Sequence, residues 1–466
     1  MPRPRQNLPA VHARPDAAHA RATGGVGGVR PDGDGGTVAG ETAAAARPVT
    51  LGRPAAAGRR TSCFAMRAMA GLLLAALALA FSGCANLTRL ARLYKRESRP
   101  GQTKVRADVV EVKAQVIGAH FVVEARGDKR GPWRFLIDTG SSVTLVSEEF
   151  YKANAMRDTR LSTSSVGVRS AGGRVAYLQS GNVREIHLGN AGGARFLNVP
   201  VLLYDCGELS AHLGVKIDGV LGFPLFRDTV FTLDYPRGRM TISPARREPP
   251  AQGRLIPFNN DQRTPIIPVR LGDETFAVLV DSGSDAPLML NPVGLHPRFA
   301  VEPRPGATVG TLTGDRCQTV GRLDGTLGLG GHRFEQPLAD LTDQLSAIGG
   351  KILRHFRVTF MPARNQVLFH RDSDAPVTMG PLRSPGLSFS KTPAYWRVLG
   401  VVPGSPAEAR GVRRGDLVSR INGEPVSRWS LQRFDAQVRH AGEITFTFVR
   451  GSDETPVIIP VFDLVP

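Results

Sequence analysis

The sequence has few of the residues that metal sites and disulfide scaffolds require. Its 466 residues include 4 cysteines and 10 histidines. The cysteines form no Cys-x-x-Cys pair and the histidines show no metal-ligand spacing, so we expect no metal, no cofactor and no disulfide scaffold. A Gly-x-Ser-x-Gly elbow with a partner histidine is also lacking, which argues against a serine hydrolase. Cys206 and Cys317 are expected to be buried free thiols, with a disulfide between them as the alternative.

Positive charge is abundant, but it is not arranged as a nucleic-acid surface. The formal net charge is +18, and residues 1–100 alone hold 15 Lys and Arg against 5 Asp and Glu. The charges of the remaining residues are dispersed, and no long basic run is interleaved with aromatic residues. Aromatic residues make up only 6% of the chain. We therefore predict that nucleic acid is not a partner.

The first hundred residues have the pattern of an export segment. Residues 1–65 are rich in Ala, Gly, Pro and Arg without apolar periodicity, so they are expected to be disordered or to precede a start at Met66 or Met69. Residues 66–84 contain Arg67 followed by an apolar run and then small residues, as in a secretory signal. The segment Phe81-Ser82-Gly83-Cys84 resembles a bacterial lipobox, which implies lipidation of Cys84. A plain signal or an uncleaved anchor is the alternative.

This segment predicts where the protein resides. Residues 85–105 are polar and basic, and they would tether the folded part to the membrane. We expect a protein of the bacterial cell envelope that faces the periplasm and is attached to the membrane by a lipid anchor or a signal anchor.

Residues 106–372 contain one pattern twice. In both halves a buried strand ends in Asp-(Thr/Ser)-Gly-Ser, first at Asp138 and again at Asp281. A Leu-Gly pair follows about fifty residues after each Asp, and an apolar element that ends in Gly222 or Gly349 follows later in each half. Ordered matches predict a duplicated module, with lobes at 106–246 and 252–372. Short apolar or alternating runs bounded by Gly, Pro, Asn and Asp predict strands of a barrel or sandwich.

Asp138 and Asp281 are the candidate catalytic residues. Each follows an apolar strand, where desolvation disfavours the charged carboxylate. Gly140 and Gly283 permit a tight turn, and the hydroxyl groups of Thr139 and Ser282 are available to anchor it. Duplication about a pseudo-twofold axis would bring the carboxyl groups together to share one proton, so that one activates water while the other donates a proton. The plain alternative is that each Asp is a turn or cap residue.

The sequence also allows a prediction of the pKa values of this pair and of the pH optimum. Because a coupled pair titrates as a unit, neither aspartate is assigned as the base. The hydroxyl groups of Ser141 and Ser284 are expected to bond the ionised carboxylates and to lower their pKa, which predicts an acidic optimum. A glycine-rich hairpin tip lies some thirty residues beyond Asp138. Its residues Ala171, Gly172 and Gly173 are a candidate flap over the substrate, with an ordinary hairpin as the alternative.

From about Ala107 to His370 the chain resembles the aspartic peptidases. The paired Asp-(Thr/Ser)-Gly-Ser motifs and the downstream apolar-apolar-Gly elements carry this resemblance. The compact spacing resembles two retropepsin-like lobes fused in one chain. The resemblance implies an endopeptidase that hydrolyses peptides or proteins without a cofactor.

Residues 376–466 resemble a bacterial PDZ domain. The run from Gly404 to Val418, followed by Ile421-Asn422-Gly423, carries the resemblance, with Ser405 and Ser430 as helix caps. The segment Gly386-Leu387-Ser388-Phe389 resembles the carboxylate-binding loop, which implies that the domain binds protein C-termini. The alternative is that this segment only packs.

The sequence therefore predicts a mainly β protein with a pair of protease-like β-barrel lobes followed by an α+β PDZ domain. The predicted function is aspartic endopeptidase, with the PDZ domain recruiting a substrate or a regulatory peptide. The alternative is a peptide-binding adaptor that does not cleave.

Overall fold

A computed structural model describes most of the chain beyond residue 100. The described residues are 11–13, 101–127, 131–156, 161–170, 172–190, 193–250, 252–392 and 394–466. The predicted signal segment 66–84, with Cys84, lies outside them. Across these ranges no helix has both the length and the apolar character needed to span a membrane.

The first lobe is built on a large twisted sheet. The elements of this lobe are β1 (Val11–Ala13), β2 (Thr103–Val105), β3 (Val110–Val112), β4 (Ala114–Ile117), β5 (His120–Arg126), β6 (Trp133–Asp138), β7 (Leu145–Val146), α1 (Glu148–Asn154), β8 (Ser165–Ser170), β9 (Val175–Leu188), β10 (Ala194–Leu203), α2 (Gly207–Leu213), β11 (Gly219–Gly222), a 3-10 helix (Phe223–Phe226), β12 (Thr229–Asp234) and β13 (Arg239–Pro244). The strands of the large sheet, in sheet order, are β1-β8-β9-β10-β7-β11-β6-β5-β4, and β2 pairs with β10.

Strand β1 is the described part of residues 1–65, which the sequence predicts to be disordered. It pairs antiparallel with β8, with Val11 opposite Ser170.

The second lobe repeats this arrangement. Its sheet has the order β18-β19-β22-β17-β23-β16-β15-β20-β21-β26. The elements are β14 (Arg254–Pro257), β15 (Ile266–Leu271), β16 (Glu274–Val280), β17 (Leu288–Leu290), β18 (Phe299–Thr311), β19 (Gly314–Leu323), β20 (Thr326–Leu329), β21 (His332–Glu335), β22 (Leu338–Leu341), β23 (Ala347–Ile348), α3 (Gly350–Leu353), β24 (Arg357–Met361), a 3-10 helix (Pro362–Arg364), β25 (Gln366–His370) and β26 (Val377–Thr378). The predicted boundary at residue 376 assigns β26 to the C-terminal domain, but β26 pairs with β21 of this lobe.

The two lobes share a third sheet and one core. That sheet has the order β14-β25-β24-β12-β13-β3, so three strands of the second lobe continue directly into three strands of the first. At its centre β12 pairs with β24, which places Phe231 opposite Phe360. Their rings stack with centroids 4.8 Å apart. Because aromatic rings bury large apolar areas, this contact joins the lobes firmly.

The strands that carry the acidic motifs occupy matching places in the two lobes. Strand β6 pairs in parallel with β11, and Asp138 lies opposite Gly222. Strand β16 pairs in parallel with β23, and Val280 lies opposite Ile348. The apolar-apolar-Gly elements that the sequence matched therefore flank the acidic strands in both halves.

The C-terminal domain has its own sheet and core. The sheet order is β28-β29-β30-β32-β33, which leaves β28 at an edge, and β27 pairs with β34 in a separate ribbon. As predicted, Ser405 and Ser430 cap its helices, because their hydroxyl groups accept hydrogen bonds from Glu408 N and Arg433 N. The elements are β27 (Leu382–Ser384), β28 (Leu387–Lys391), β29 (Trp396–Val401), α4 (Pro406–Ala409), β30 (Leu417–Ile421), β31 (Glu424–Pro425), a 3-10 helix (Val426–Arg428), α5 (Leu431–His440), β32 (Glu443–Arg450), β33 (Asp453–Pro460) and β34 (Phe462–Val465).

Candidate active site

The structure brings Asp138 and Asp281 together at the junction of the two lobes. Both side chains are completely buried. Each carboxyl group lies against the glycine of the other motif, since a Cβ atom on Gly140 would lie 2.6 Å from Asp281 Oδ1 and one on Gly283 would lie 2.3 Å from Asp138 Cγ. No side chain larger than hydrogen fits at either glycine, so the close approach of the two acids requires both of them.

Crossed hydrogen bonds between the motifs hold this arrangement. Thr139 Oγ1 donates to Val280 O at 2.6 Å and accepts from Ser282 N at 2.9 Å. In the equivalent bonds of the other motif, Ser282 Oγ donates to Ile137 O at 2.9 Å and accepts from Thr139 N at 3.0 Å. Each hydroxyl group therefore bonds to the opposite lobe rather than to its own turn. The four bonds fix the relative position of the two acidic residues.

Burial dominates the electrostatics of the pair. It raises the pKa of Asp138 well above its ordinary value, and the neighbouring charge of Asp281 raises it further. Burial also raises the pKa of Asp281, to about 7, although the N–H groups of Gly283 and Ser284 oppose that shift. Gly283 N donates to Asp281 Oδ1 at 2.9 Å. Two acids with raised pKa values in contact retain a shared proton to higher pH than a solvated pair would.

The hydroxyl groups of Ser141 and Ser284 do not bond the carboxylates, contrary to the prediction. Ser141 Oγ donates to Val143 O at 2.7 Å, and Ser284 Oγ accepts from Ala286 N at 3.1 Å. Both hydroxyl groups stabilise the turns that follow the motifs. The expectation of an acidic optimum depended on those bonds, whereas the pKa values of both acids are raised.

Tyr235 lies in the same buried region and was not predicted. Burial raises the pKa of its hydroxyl group, and the charges of Asp281 and Asp138 raise it further. Its ring packs edge-to-face on Phe121 with centroids 4.8 Å apart. A single tyrosine among short strands carries no sequence signal that distinguishes it from a packing residue.

The predicted flap lies at the tip of the hairpin β8–β9. Ala171 lies outside the described residues, whereas Gly172 and Gly173 form the described part of the turn. A Cβ atom on Gly172 would lie 3.0 Å from Thr311 Oγ1 of the second lobe. Ser170 Oγ and Thr313 Oγ1 share a hydrogen bond of 2.7 Å. The tip of this hairpin therefore contacts the second lobe.

The second-lobe hairpin β18–β19, which receives that contact, was also not predicted. Its tip lies about thirty residues beyond Asp281, as the flap tip does beyond Asp138. The internal duplication is the sequence signal from which this hairpin could have been predicted. Pro303, Pro305 and Gly306 within β18 hid the strand pattern, because proline and glycine usually mark the ends of strands.

A cavity of about 450 Å³ adjoins the first motif. Apolar side chains of β10, together with Val166 of β8, line it, and so do Arg227 and Arg263. Cavities of this size accommodate side chains or small molecules. The lining includes Ser142, Val143 and Thr144, which directly follow the first motif in sequence, and Val166 and Ser180 of the hairpin β8–β9.

The predicted carboxylate loop of the C-terminal domain is mostly a strand. Gly386 forms the turn, with φ +79°, and Leu387, Ser388 and Phe389 belong to edge strand β28. Leu387 and Phe389 point into the core of the domain. Ser388 points outward and its hydroxyl group accepts a hydrogen bond from Thr308 N at 3.0 Å.

The cysteines and possible metal ligands form no further site in the described part of the chain. Cys206 and Cys317 are both free, and Cys317 is exposed rather than buried as predicted. Burial raises the pKa of the Cys206 thiol to about 12, so it is not a nucleophile at neutral pH. The described ranges contain no cluster of His, Cys, Asp and Glu that could hold a metal ion.

Comparison with known families agrees with this geometry. Residues 123–225 match the family model described as "Aspartyl protease". Residues 397–450 match the family model described as "PDZ domain". The chain contains an aspartyl protease-like domain and a PDZ domain. The predicted resemblance and the mainly β fold class are thus confirmed, although the protease match includes Asp138 and ends before Asp281.

The comparison with solved structures adds a partial match. A solved structure described as a PDZ domain protein from Parabacteroides distasonis ATCC 8503 is 18% identical, with a TM-score of 0.16. The alignment covers 18% of this chain and 21% of that chain, so this chain spans about a fifth of that structure. No curated protein matches the chain.

Proposed function

We propose that this protein is an aspartic endopeptidase in which Asp138 and Asp281 form the catalytic dyad. The observation that carries the proposal is the contact of each buried carboxyl group with the glycine of the opposite motif. Two carboxyl groups held in this way share one proton, which provides an acid and a base side by side. Within the described residues, neither oxygen of Asp138 accepts a hydrogen bond of normal geometry. The reaction proposed below uses these oxygens to bind and deprotonate a water molecule.

The proposed reaction needs only these two groups and water. The ionised carboxylate takes a proton from water while the water oxygen attacks the peptide carbonyl carbon. The protonated carboxyl group donates its proton to the carbonyl oxygen, which gives a tetrahedral diol. When the diol collapses, the C–N bond breaks and the amine leaves with a proton returned by the dyad. The flap hairpin β8–β9 supports the proposal, because closure over the substrate would exclude bulk water.

The decisive experiment measures cleavage of denatured casein by the full chain between pH 4 and pH 8. We expect Asp138→Asn and Asp281→Asn each to lower the rate by at least about a thousandfold, as removal of a catalytic group does. Asp273→Asn is the matched control, because Asp273 is exposed in the turn between β15 and β16, at the opposite end of the strand that leads to Asp281. Equal cleavage by a dyad variant and the parent would refute the mechanism.

The same experiment also tests the alternative that the chain is a peptide-binding adaptor that does not cleave. If the parent does not cleave at any pH but still binds peptides with free C-termini, the chain is a binding protein built on a protease fold. PDZ domains bind a peptide as an added strand, with backbone N–H groups on its terminal carboxylate. We propose Gly386 and edge strand β28 as that site. Fluorescent hexapeptides with a free or amidated C-terminus test it, since loss of the charge should abolish binding.

We also propose that residues 66–84 export the chain and that Cys84 attaches it to the membrane. Support comes from the basic residue, the apolar run and the small residues before Cys84. Metabolic labelling of bacteria with radioactive palmitate tests this proposal. The parent should be labelled and Cys84→Ser should not. Equal labelling of the two would contradict lipidation at this residue.

A further inference from the structure

The second-lobe hairpin β18–β19 is the surface on which the flap closes. Its tip provides Thr313, which bonds Ser170 of the flap at 2.7 Å, and Thr311, which packs on Gly172. The position of this hairpin therefore determines where the flap stops. Anything that displaces the hairpin would remove the contact that holds the flap closed.

Polar contacts fix the hairpin to its own lobe away from the tip. Asp340 on β22 is completely buried. It accepts hydrogen bonds from Arg316 Nη2 at 2.6 Å, Gln318 Nε2 at 3.1 Å and Thr319 N at 3.1 Å. Because a buried carboxylate with several charged and polar donors resists separation from them, strand β19 is firmly held here.

The PDZ domain holds the other strand of the same hairpin. Thr308 N of β18 donates to Ser388 Oγ of β28 at 3.0 Å, and both residues are buried. Gly400 of β29 lies so close that a Cβ atom on it would be 2.0 Å from Thr308 Oγ1. Nearer the tip, Arg414 Nη2 bonds Asp315 Oδ2 at 2.6 Å. The pairing of β18 with β19 shifts register between Pro305 and Thr308, where the PDZ domain meets the hairpin.

The first lobe supports the hairpin from α2. A Cβ atom on Gly310 would lie 2.2 Å from His212 Nε2, so the two elements are in direct contact. Helix α2 also approaches the PDZ domain, where a Cβ atom on Gly214 would lie 3.0 Å from the Lys391 side chain. Strand β18 is thus confined by a first-lobe helix and by PDZ strands β28 and β29.

We propose that the PDZ domain positions the flap: it holds hairpin β18–β19 where the flap closes, with Ser388 and Gly400 as positioning residues. This role goes beyond the proposed function, because closure of the flap does not require turnover. The coupling runs from Gly400 to Thr308, along the hairpin to Thr313, and then to Ser170 of the first lobe. In this proposal the PDZ domain supports the hairpin beside the acidic pair, in addition to binding peptides.

Amide hydrogen exchange of the full chain tests this inference. Ser170 N donates to Arg174 O and Gly173 N donates to Ser170 O, both at 2.9 Å, so these amides report on the flap turn. Gly400→Ala inserts a methyl group against Thr308 and should force the PDZ domain from the hairpin. We expect exchange of both flap amides to accelerate about fivefold, the effect of losing one ordinary hydrogen bond. The double variant Gly400→Ala with Thr308→Gly restores the space and should restore slow exchange.

The matched control is Gly442→Ala, in the same domain, where an added Cβ atom meets no atom within 4 Å. Its flap amides should exchange at the parental rate. Unchanged flap exchange in Gly400→Ala, with faster exchange in β18–β19, would overturn the inference. If Gly400→Ala does not fold, Ser388→Ala is the test variant instead, because it removes the acceptor of the Thr308 N–H group. Parental flap exchange in folded Ser388→Ala would overturn the inference equally.

Discussion

At the scale of single residues, the acidic pair is a source of instability that the fold tolerates. Both carboxyl groups have raised pKa values because they are buried together. A folded-state pKa above the unfolded value means that the folded protein binds more protons between the two values. The free energy of unfolding therefore falls as pH rises through this window, from about 4 to about 7.

Replacing one acid should weaken that dependence. We expect Asp281→Asn to reduce the slope of the free energy of unfolding against pH. That slope is about 1.4 kcal/mol per pH unit for each additional proton that the folded state binds. The variant should be more stable than the parent at pH 7 and closer to it at pH 4. Urea unfolding at both pH values measures this, with Asp273→Asn as the control. A variant with the same pH slope as the parent would show that the acid is not buried in ionisable form.

The pH dependence of cleavage follows from the same shifts. The dyad needs one ionised and one protonated member, and the pKa of Asp281 is raised to about 7 by burial. We expect the rate on denatured casein to increase from pH 4 towards pH 7 and to peak near neutrality. An optimum below pH 5 would contradict the raised values and would restore the acidic optimum that the sequence predicts.

The limits of sequence prediction at this scale are visible in two pairs of hydroxyl groups. The motif placed Thr139 and Ser282 at anchoring positions, and both form bonds across the lobes. The same motif suggested that Ser141 and Ser284 face the acids, but their hydroxyl groups serve the following turns instead. Rotation about a single side-chain bond decides between these outcomes, and residue spacing does not encode it.

At the scale of elements, the two hairpins over the cleft differ in how firmly they are held. Hairpin β18–β19 is fixed by Asp340 and by the PDZ domain. The tip of β8–β9 meets it through the Ser170–Thr313 bond, and apart from β9, strand β8 pairs only with the three-residue strand β1 among the described residues. We infer that β8–β9 is the hairpin that moves. The sequence indicated a candidate flap at this hairpin from its glycines, and that role stays a prediction. It missed the hairpin that the tip contacts, because prolines interrupt the alternation along β18.

A reversible cross-link between the tips tests which hairpin must move. Ser170 Oγ and Thr313 Oγ1 are 2.7 Å apart. In a Cys317→Ser background, the pair Ser170→Cys and Thr313→Cys should form a disulfide. We expect oxidation to lower cleavage of denatured casein at least about tenfold, because the flap cannot open to admit a chain. A thiol reductant should restore it, and Ser170→Cys alone should be insensitive. Full activity of the oxidised pair would contradict flap opening as a required step.

At the scale of the whole molecule, the two lobes form one folding unit. Strands β12 and β24 pair across the lobes, and the stacked rings of Phe231 and Phe360 lie in their common core. The duplication predicted two similar halves from the sequence. It did not predict that three strands of each half join edge to edge in one sheet, because the pairing of distant strands leaves no local pattern.

Loss of the central ring should weaken both lobes together. We expect Phe360→Ala to lower the free energy of unfolding by about 3 to 5 kcal/mol, the usual effect of removing a buried phenylalanine. Amide exchange in β9 and in β19 should accelerate by the same factor. The conservative variant Phe360→Leu should lose less. Faster exchange confined to the second lobe would show that the lobes unfold independently.

The shared sheet also determines when during synthesis a reactive centre can exist. Asp281 and strand β25 lie in the later part of the chain, and β25 pairs with β24 in the sheet that joins the lobes. A nascent polypeptide that has reached only the first acid carries an isolated carboxyl group with no partner. If the dyad is the catalyst, such a chain cannot assemble the acid and the base within one molecule. Activity would then arise only after the second lobe has been synthesised and has joined the shared sheet.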